Sequence, residues 1–241
     1  MIPKIIHYCW FGRGEKSKLA KKCIESWKRF CPDYEIIEWN EENFNLDSLE
    51  YTRFTYDHKL YAYLSDYVRL WAVFTYGGLY FDTDVQLIKT PQDLLLNKAF
   101  LGFESREFVN TGLGFGSEKN NEDIHAMMGK YEELTYDECA KMYQAKKCLT
   151  GSPKMNTYAL TPYGLIQNGK EQVVNSIKVF PIEYFCPFND VTGELNITDN
   201  TFSIHWYSKS VQGKFEYYKS KVVRPLKRVL RMLGIRYTDL Q

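Results

Sequence analysis

The stretch from residue 58 to residue 85 constrains the fold most. Leu60, Leu64, Tyr67, Val68, Trp71 and Phe74 recur at three- and four-residue intervals, which predicts a helix over 58–76 with those side chains inward. Gly77-Gly78 then stops it, as residues that tolerate positive φ do. Leu79-Tyr80-Phe81 has the length and apolarity of a buried strand, and it runs straight into Asp82-Thr83-Asp84. A helix, an abrupt stop, a buried strand and two acids beyond its carboxyl end together describe one edge of an α/β sheet.

The segments on either side extend that sheet. Residues 3–9 read as a buried strand, and residues 17–30 as a helix with apolar positions 19, 20, 23, 24, 27 and 30. Pro32 ends that helix and 34–39 form a second strand, a β-α-β opening of the nucleotide-binding type. A strand at 99–103, the glycine-rich run VNTGLGFGS at 109–117, and helices at 122–134 and about 136–147 follow. Residues 148–213 mix short strands with four prolines, and Gly151-Ser152-Pro153 reads as a plain turn. No linker, repeat or low-complexity run stands out, so the expected organisation is one domain over 1–213 and a tail over 214–241.

Composition removes several classes. A chain of 241 residues can bury a substantial core. With 44% apolar and 25% charged residues it is neither disordered, collagenous nor a coiled coil throughout. A net charge of +1 supplies no global field for nucleic acid, and none is expected as a partner. The six cysteines contain no C-x-x-C pair, against a zinc ribbon or thioredoxin-type site, and are expected as reduced thiols of a cytosolic protein. The N-terminus lacks the basic and apolar regions of a signal peptide, and no apolar run approaches the ~20 residues of a membrane span. The Asn196-Ile197-Thr198 sequon carries little meaning in that setting.

Five features could carry chemistry. Asp82 and Asp84 stand at i and i+2, so in extended chain both address one ligand, and two anionic oxygens suit Mg²⁺ or Mn²⁺ and through it a diphosphate. A bare D-x-D is common, and a solvated acidic turn is the plain alternative. Asp66 and Arg69 share a helix face and could hold sugar or ribose hydroxyls, or simply form an intrahelical ion pair. His7-Tyr8-Cys9-Trp10 ends the first strand, where Trp10 could stack on a base or fill the core. His205 could supply a nitrogen to the same metal, or sit as a structural histidine. Asn110-Thr111-Gly112, with Gly114 and Gly116, could bring compact backbone and an amide to a site, or be an ordinary glycine-tolerant turn.

The 214–236 segment carries eight basic residues against one acid, which leaves the rest of the chain net acidic. Val222, Leu226, Val229, Leu230 and Leu233 would share a stripe on a helix over about 224–233, with Pro225 in its first turn. Such a basic amphipathic helix suits an anionic membrane surface, and equally a terminal helix packed on its own domain.

IPKIIHYCWFG, YLSDYVRLWAVFTYGGLYFDTDV and the late His205-Trp206 occur in an order that resembles glycosyltransferase family 32. These are the enzymes with a DXD sugar-binding region, among them yeast mannosyltransferases and bacterial capsule and lipopolysaccharide enzymes; the motif region is also similar to glucosyltransferase domains of large clostridial toxins. The resemblance covers about residues 2–117 closely and 148–210 loosely, and the block from Ser65 to Asp84 carries its specificity. It implies an α/β fold of the GT-A type, a mixed, mostly parallel sheet flanked by helices, and a metal-dependent hexosyl transfer that retains anomeric configuration. It places Trp10 on the nucleobase, with His7, Tyr80 and Asn110 beside the donor. Asp66 and Arg69 fall on sugar and ribose hydroxyls, Asp82 on the first DXD acid, and Asp84 on the metal. His205 falls at a late metal or phosphate ligand, although its neighbours depart from that family's His-x-x-x-x-Ser-Trp pattern. A UDP-sugar is the favoured donor and a GDP-sugar the other, with Mn²⁺ or Mg²⁺.

The acceptor implied is a glycan of a surface polysaccharide, carried on a lipid such as an undecaprenyl carrier. The protein would then be cytoplasmic, at the inner face of the membrane where the tail engages it. No spare carboxylate stands out as a nucleophile, which favours the route in which the leaving phosphate accepts the acceptor proton. Two rivals remain open at this point: a non-catalytic sugar or nucleotide binder of the same fold, and a D-x-D phosphatase. The phosphatase type places its motif on an early strand and needs a later acidic pair such as Asp-Asp, which this chain lacks.

Overall fold

Four strands set the frame: β1 (Ile5–Cys9), β2 (Glu35–Trp39), β3 (Gly78–Tyr80) and β4 (Val85–Leu87). The computed structural model describes residues 1–208, so the basic stretch over 214–236 and its expected amphipathic helix lie outside the described residues. β1 pairs in parallel with β2 on one side and with β3 on the other, as a β-α-β opening requires. The sheet continues with β5 (Ala99–Phe103), β6 (Val109–Asn110), β7 (Phe115–Ser117), β8 (Gln172–Val174) and β9 (Ile177–Phe180). Its order is β2-β1-β3-β7-β5-β9-β8, with β6 paired to β5. β7 is antiparallel to both β3 and β5, and β9 is parallel to β5. β1, β3, β5 and β9 therefore all point the same way, and their carboxyl ends share one edge. β10 (Ser203–His205) pairs antiparallel with β4 in a separate two-stranded ribbon, with His205 opposite Val85.

The central strands β3, β5 and β7 are buried along their whole length because both faces of the sheet are covered there. Leu79 and Phe81 point into a core with Trp27 and Cys23 of α1 (Lys18–Phe30), while Tyr80 between them points into the opposite core. Phe100 likewise faces the first core, and Ala99, Leu101 and Phe103 the second. Ser17 caps α1 by accepting from the Ala20 amide, and Trp27 donates to the Val85 carbonyl at 2.8 Å, tying the helix to β4. The second core is covered by α2 (Glu50–Asp57), α3 (Tyr61–Tyr76), α4 (Glu122–Glu132), α5 (Tyr136–Lys146) and α6 (Ser152–Leu160).

Three expectations change. The helix expected over 58–76 begins at Tyr61, because Lys59 takes a φ of +58° and breaks it from α2. Its inward stripe is also wider than expected: Ser65, Asp66, Arg69 and Leu70 are buried, whereas Trp71 and Phe74 are only half-buried. α3 packs against β1 and β3 on one side and against α2 and α4 on others, so little of its circumference is left to solvent. The stop at 77–78 holds as expected, with φ of +71° and +107°. A side chain on Gly78 would meet the Ile5 carbonyl at 2.7 Å, so glycine is required there for close strand pairing as well as for its dihedral. The Gly151-Ser152-Pro153 turn is the start of α6, with Pro153 in the first turn where its missing N–H costs nothing. All six cysteines are free thiols, five of them buried. No helix among the described residues is long and apolar enough to cross a membrane.

Candidate functional site

A cavity of about 660 Å³ opens at the carboxyl ends of β1 and β3, a volume ordinary for a small-molecule site. Trp10, Lys59, Asp66, Arg69, Tyr80, Asp82, Asp84, Asn110 and His205 all line it. Eight of the nine residues singled out from sequence thus meet in one space, although they come from six separate elements or loops. The exception is His7. It is fully buried within β1, where its Nδ1 accepts from the Trp39 indole at 3.2 Å and its Nε2 donates to the Gly77 carbonyl at 2.8 Å. Burial lowers its pKa to about 4, so it stays neutral and holds the helix stop against β1. The position expected beside the donor is a structural one: His7 shares a strand face with Cys9, which lines the cavity, but stands two residues before the strand end and is covered by Trp39.

The first acid of the motif is bound into a buried charge network. Arg69 Nη2 lies 3.0 Å from Asp66 Oδ1 and 3.1 Å from Asp82 Oδ1. Tyr80 donates to the same Asp82 oxygen at 2.9 Å, and the guanidinium sits 5.0 Å from the Tyr80 ring centre. The plain alternative, an isolated intrahelical pair, is therefore set aside: one buried cation serves two carboxylates from two elements. Burial raises the Asp66 pKa to about 7, with Arg69 pulling against it and Asp82 adding to it. Burial also raises Asp82, again opposed by Arg69. Asp66 Oδ2 accepts from the Ser152 amide at 3.1 Å, which places the start of α6 on the same network. Asp82 Oδ2 rests against Gly112, where a Cβ would stand 2.3 Å from that oxygen.

The second acid has a different partner set. Asp84 Oδ1 lies 3.1 Å from His205 Nε2, and Oδ2 accepts from the Ser208 amide at 2.6 Å. Burial alone would raise Asp84, but His205 more than offsets it and holds the carboxyl below the usual range. Burial alone would lower His205, and Asp84 turns that into a net rise. Antiparallel pairing of β10 on β4 brings the histidine there from 121 positions down the chain. Ligand atoms of Asp82, Asp84 and His205 lie within 4.8 Å of one another. Two carboxylates and an imidazole converging on one point, with His205 Nδ1 buried and without a hydrogen-bond partner, form a donor set that fits Mn²⁺ or Mg²⁺.

Around Asn110, sequence reasoning missed several contributors. Asn110 is fixed from three sides: its Oδ1 accepts from the Gly112 amide at 2.7 Å, its Nδ2 donates to Glu104 Oε2 at 3.0 Å, and Ser152 approaches. Thr111, Ser152 and Asn156 form a buried hydroxyl-amide cluster beneath it. Ser-Pro ahead of helical spacing was the available sign for Ser152. Lys59 and Tyr207 line the cavity from left-handed backbone, at φ +58° and +49°, a conformation that bulky residues keep only where surroundings enforce it.

The family match falls on part of this region. Residues 17–101 match the family described as glycosyltransferase sugar-binding region containing DXD motif. Inositol phosphoceramide mannosyltransferase 3 of Schizosaccharomyces pombe is 32% identical over 122 residues, covering 47% of this chain and 33% of that protein. The chain thus spans about a third of the length of that relative. Among solved structures, PaToxG Glycosyltransferase shares 20% identity at a TM-score of 0.49, over 67% of this chain and 69% of the other. A glycosyltransferase involved in glycosylation of the major capsid of PBCV-1 shares 14% at 0.46, over 92% of this chain and 99% of the other.

Proposed function

We propose that this chain, which matches the glycosyltransferase sugar-binding region containing DXD motif over residues 17–101, is a glycosyltransferase that transfers a hexose from a nucleotide sugar to a glycan acceptor with retention of configuration. The observation that carries the proposal is the convergence of Asp82, Asp84 and His205 beside the Arg69 network in one cavity at the strand ends. Trp10 forms a wall of that cavity and is held by its indole bond to the Gly14 carbonyl at 2.7 Å, as a stacking platform for the base would be. Asp66 and Arg69 supply charged partners for ribose and sugar hydroxyls. A divalent ion held by Asp82, Asp84 and His205 would neutralise charge developing on the departing diphosphate. Lys59 adds a cation to the same cavity.

Every carboxylate lining the cavity is engaged: Asp66 and Asp82 by Arg69, and Asp84 by His205. This favours a front-face transfer over a covalent glycosyl-enzyme. The acceptor oxygen bonds to the anomeric carbon as the carbon–phosphate oxygen bond breaks, and the acceptor's proton passes to the departing phosphate oxygen. It also disfavours a phosphatase, which needs an acid free to attack phosphorus. UDP is the first donor to test, and the mannosyl group in the fission-yeast relative's name puts GDP-mannose second. A lipid-linked acceptor and residence at the inner face of a membrane rest on the charge of 214–236, and deletion of 214–241 is expected to shift the protein to the soluble fraction.

The test is turnover of UDP-glucose, UDP-galactose and GDP-mannose with Mn²⁺ and with EDTA. Metal-dependent hydrolysis or transfer of one donor supports the reading and separates an enzyme from a non-catalytic binder. Nucleotide binding without any turnover leaves the binder, and neither leaves an acidic turn.

A further inference from the structure

The carboxyl edge of the sheet carries a second cleft. It has a volume of about 840 Å³ and lies over the ends of β5 and β9, beside the donor cavity over β1 and β3. Tyr207 lines both spaces. Glu104, the first residue past β5, lines the second cleft and accepts from Asn110, which lines the first, so this hydrogen bond and the Tyr207 ring form the shared wall. The Tyr207 hydroxyl sits 2.9 Å from Cys186 Sγ, and the ring packs 4.2 Å from His205, which fixes the wall against the metal-ligating set.

The two spaces differ in charge. The donor cavity offers Lys59 and Arg69. The second cleft has Glu104, Glu183 and Asp190 and no lysine or arginine among the described residues lining it. Its remaining surface joins aromatic rings, Phe108 and Phe188, with amide side chains such as Asn189. A phosphate or other anion would meet three carboxylates there and no cation among the described residues. A sugar presents hydroxyls as donors to carboxylate and amide oxygens, and its C–H face to rings.

We propose that this cleft is the acceptor subsite, that it takes an uncharged, hydroxyl-rich saccharide end, and that Glu104 at the wall binds the hydroxyl nearest the donor. The inference rests on the donor reading above. Any anionic part of the acceptor then lies outside the cleft, and phosphate recognition is confined to the donor side. Glu104 already holds Asn110 through Oε2 and orients the incoming hydroxyl without taking its proton.

The test uses the full chain saturated with UDP and Mn²⁺ and observes sugars by saturation-transfer NMR. The probes are methyl α-mannoside, methyl β-galactoside and methyl β-glucoside, with mannose 6-phosphate and glucose 6-phosphate as anionic counterparts. At least one uncharged glycoside is expected to bind, with its signal reduced about fivefold or more in both Glu104→Gln and Phe108→Ala. Glu104→Gln keeps an oxygen for Asn110, and Phe108→Ala leaves every carboxylate in place, so a folding defect in one does not remove the test. UDP affinity of Phe108→Ala is expected within twofold of wild type, and the sugar phosphates are expected to give no signal. The proposal is overturned if no glycoside binds, if binding is unchanged in both variants, or if the sugar phosphates bind as well. If UDP itself does not bind, the donor reading fails. The glycosides and both variants are then compared without UDP, and the same outcomes decide the cleft separately.

Discussion

The end of β3 and the start of β4 are five positions apart in the chain and opposite in electrostatics. On the β3 side, Asp66 and Asp82 share one buried guanidinium, and burial raises both pKa values. On the β4 side, Asp84 has an imidazole and a backbone amide to itself, and its pKa falls. The difference separates two tasks. The Arg69 network is a fixed scaffold whose charges stabilise one another and cannot be removed singly. The Asp84–His205 pair is a partner set that an incoming cation can take over.

Removal of the shared cation should have the largest effect. Arg69→Met leaves two acids buried without a partner and is expected to cost about 3–5 kcal/mol, read from the urea midpoint. Adding Asp66→Asn in that background should recover part of the loss, and no recovery would break the idea of one shared charge. Asp84→Ala comes next, with transfer falling roughly 10²–10³-fold while far-ultraviolet circular dichroism is unchanged. Near-wild-type transfer in that variant would erase the distinction between the two acids.

A pH series sharpens the comparison further. The folded pKa of Asp66 is about 7, above its unfolded value. Its contribution to stability is therefore present below the unfolded pKa near 4 and is lost as pH rises toward 7. Asp84 has the opposite sign: its contribution is present above the unfolded pKa and is lost as pH falls below it. Asp66→Asn should flatten the decline in stability between about pH 4 and 7 without touching the acid limb, in urea titrations at each pH. The smallest effect expected is that of Gly112→Ala, which drives a methyl toward Asp82 Oδ2. It should cost about 1–3 kcal/mol in thermal unfolding and weaken nucleotide binding through Asp82.

Much of the β3 side was legible in the sequence because its parts are local. The helical period, the Gly77-Gly78 stop and the apolar triplet before Asp82 each state one rule, and all agree on an edge of an α/β sheet. The sharing of Arg69 was not legible, since burial of a helix face depends on what packs around it. The β4 side needed His205 carried in by strand pairing across 120 residues, which no local pattern encodes, so the residue type alone left a metal ligand and a structural histidine both open. His7 shows the converse limit. Proximity to Trp10 in sequence suggested a shared role, yet strand alternation sends the two to different surroundings. Ser152 was read as part of a turn, and Glu104 was not singled out, because their roles lie in contacts from other elements.

Calorimetric titration of UDP into wild type and Asp84→Ala, each with Mn²⁺ and with EDTA, tests the central claim most directly. The expected result is tight binding by wild type with Mn²⁺ that is lost with EDTA and lost in the variant. Equal UDP affinity in all four titrations would contradict the assignment of Asp82, Asp84 and His205 as the metal-dependent donor site.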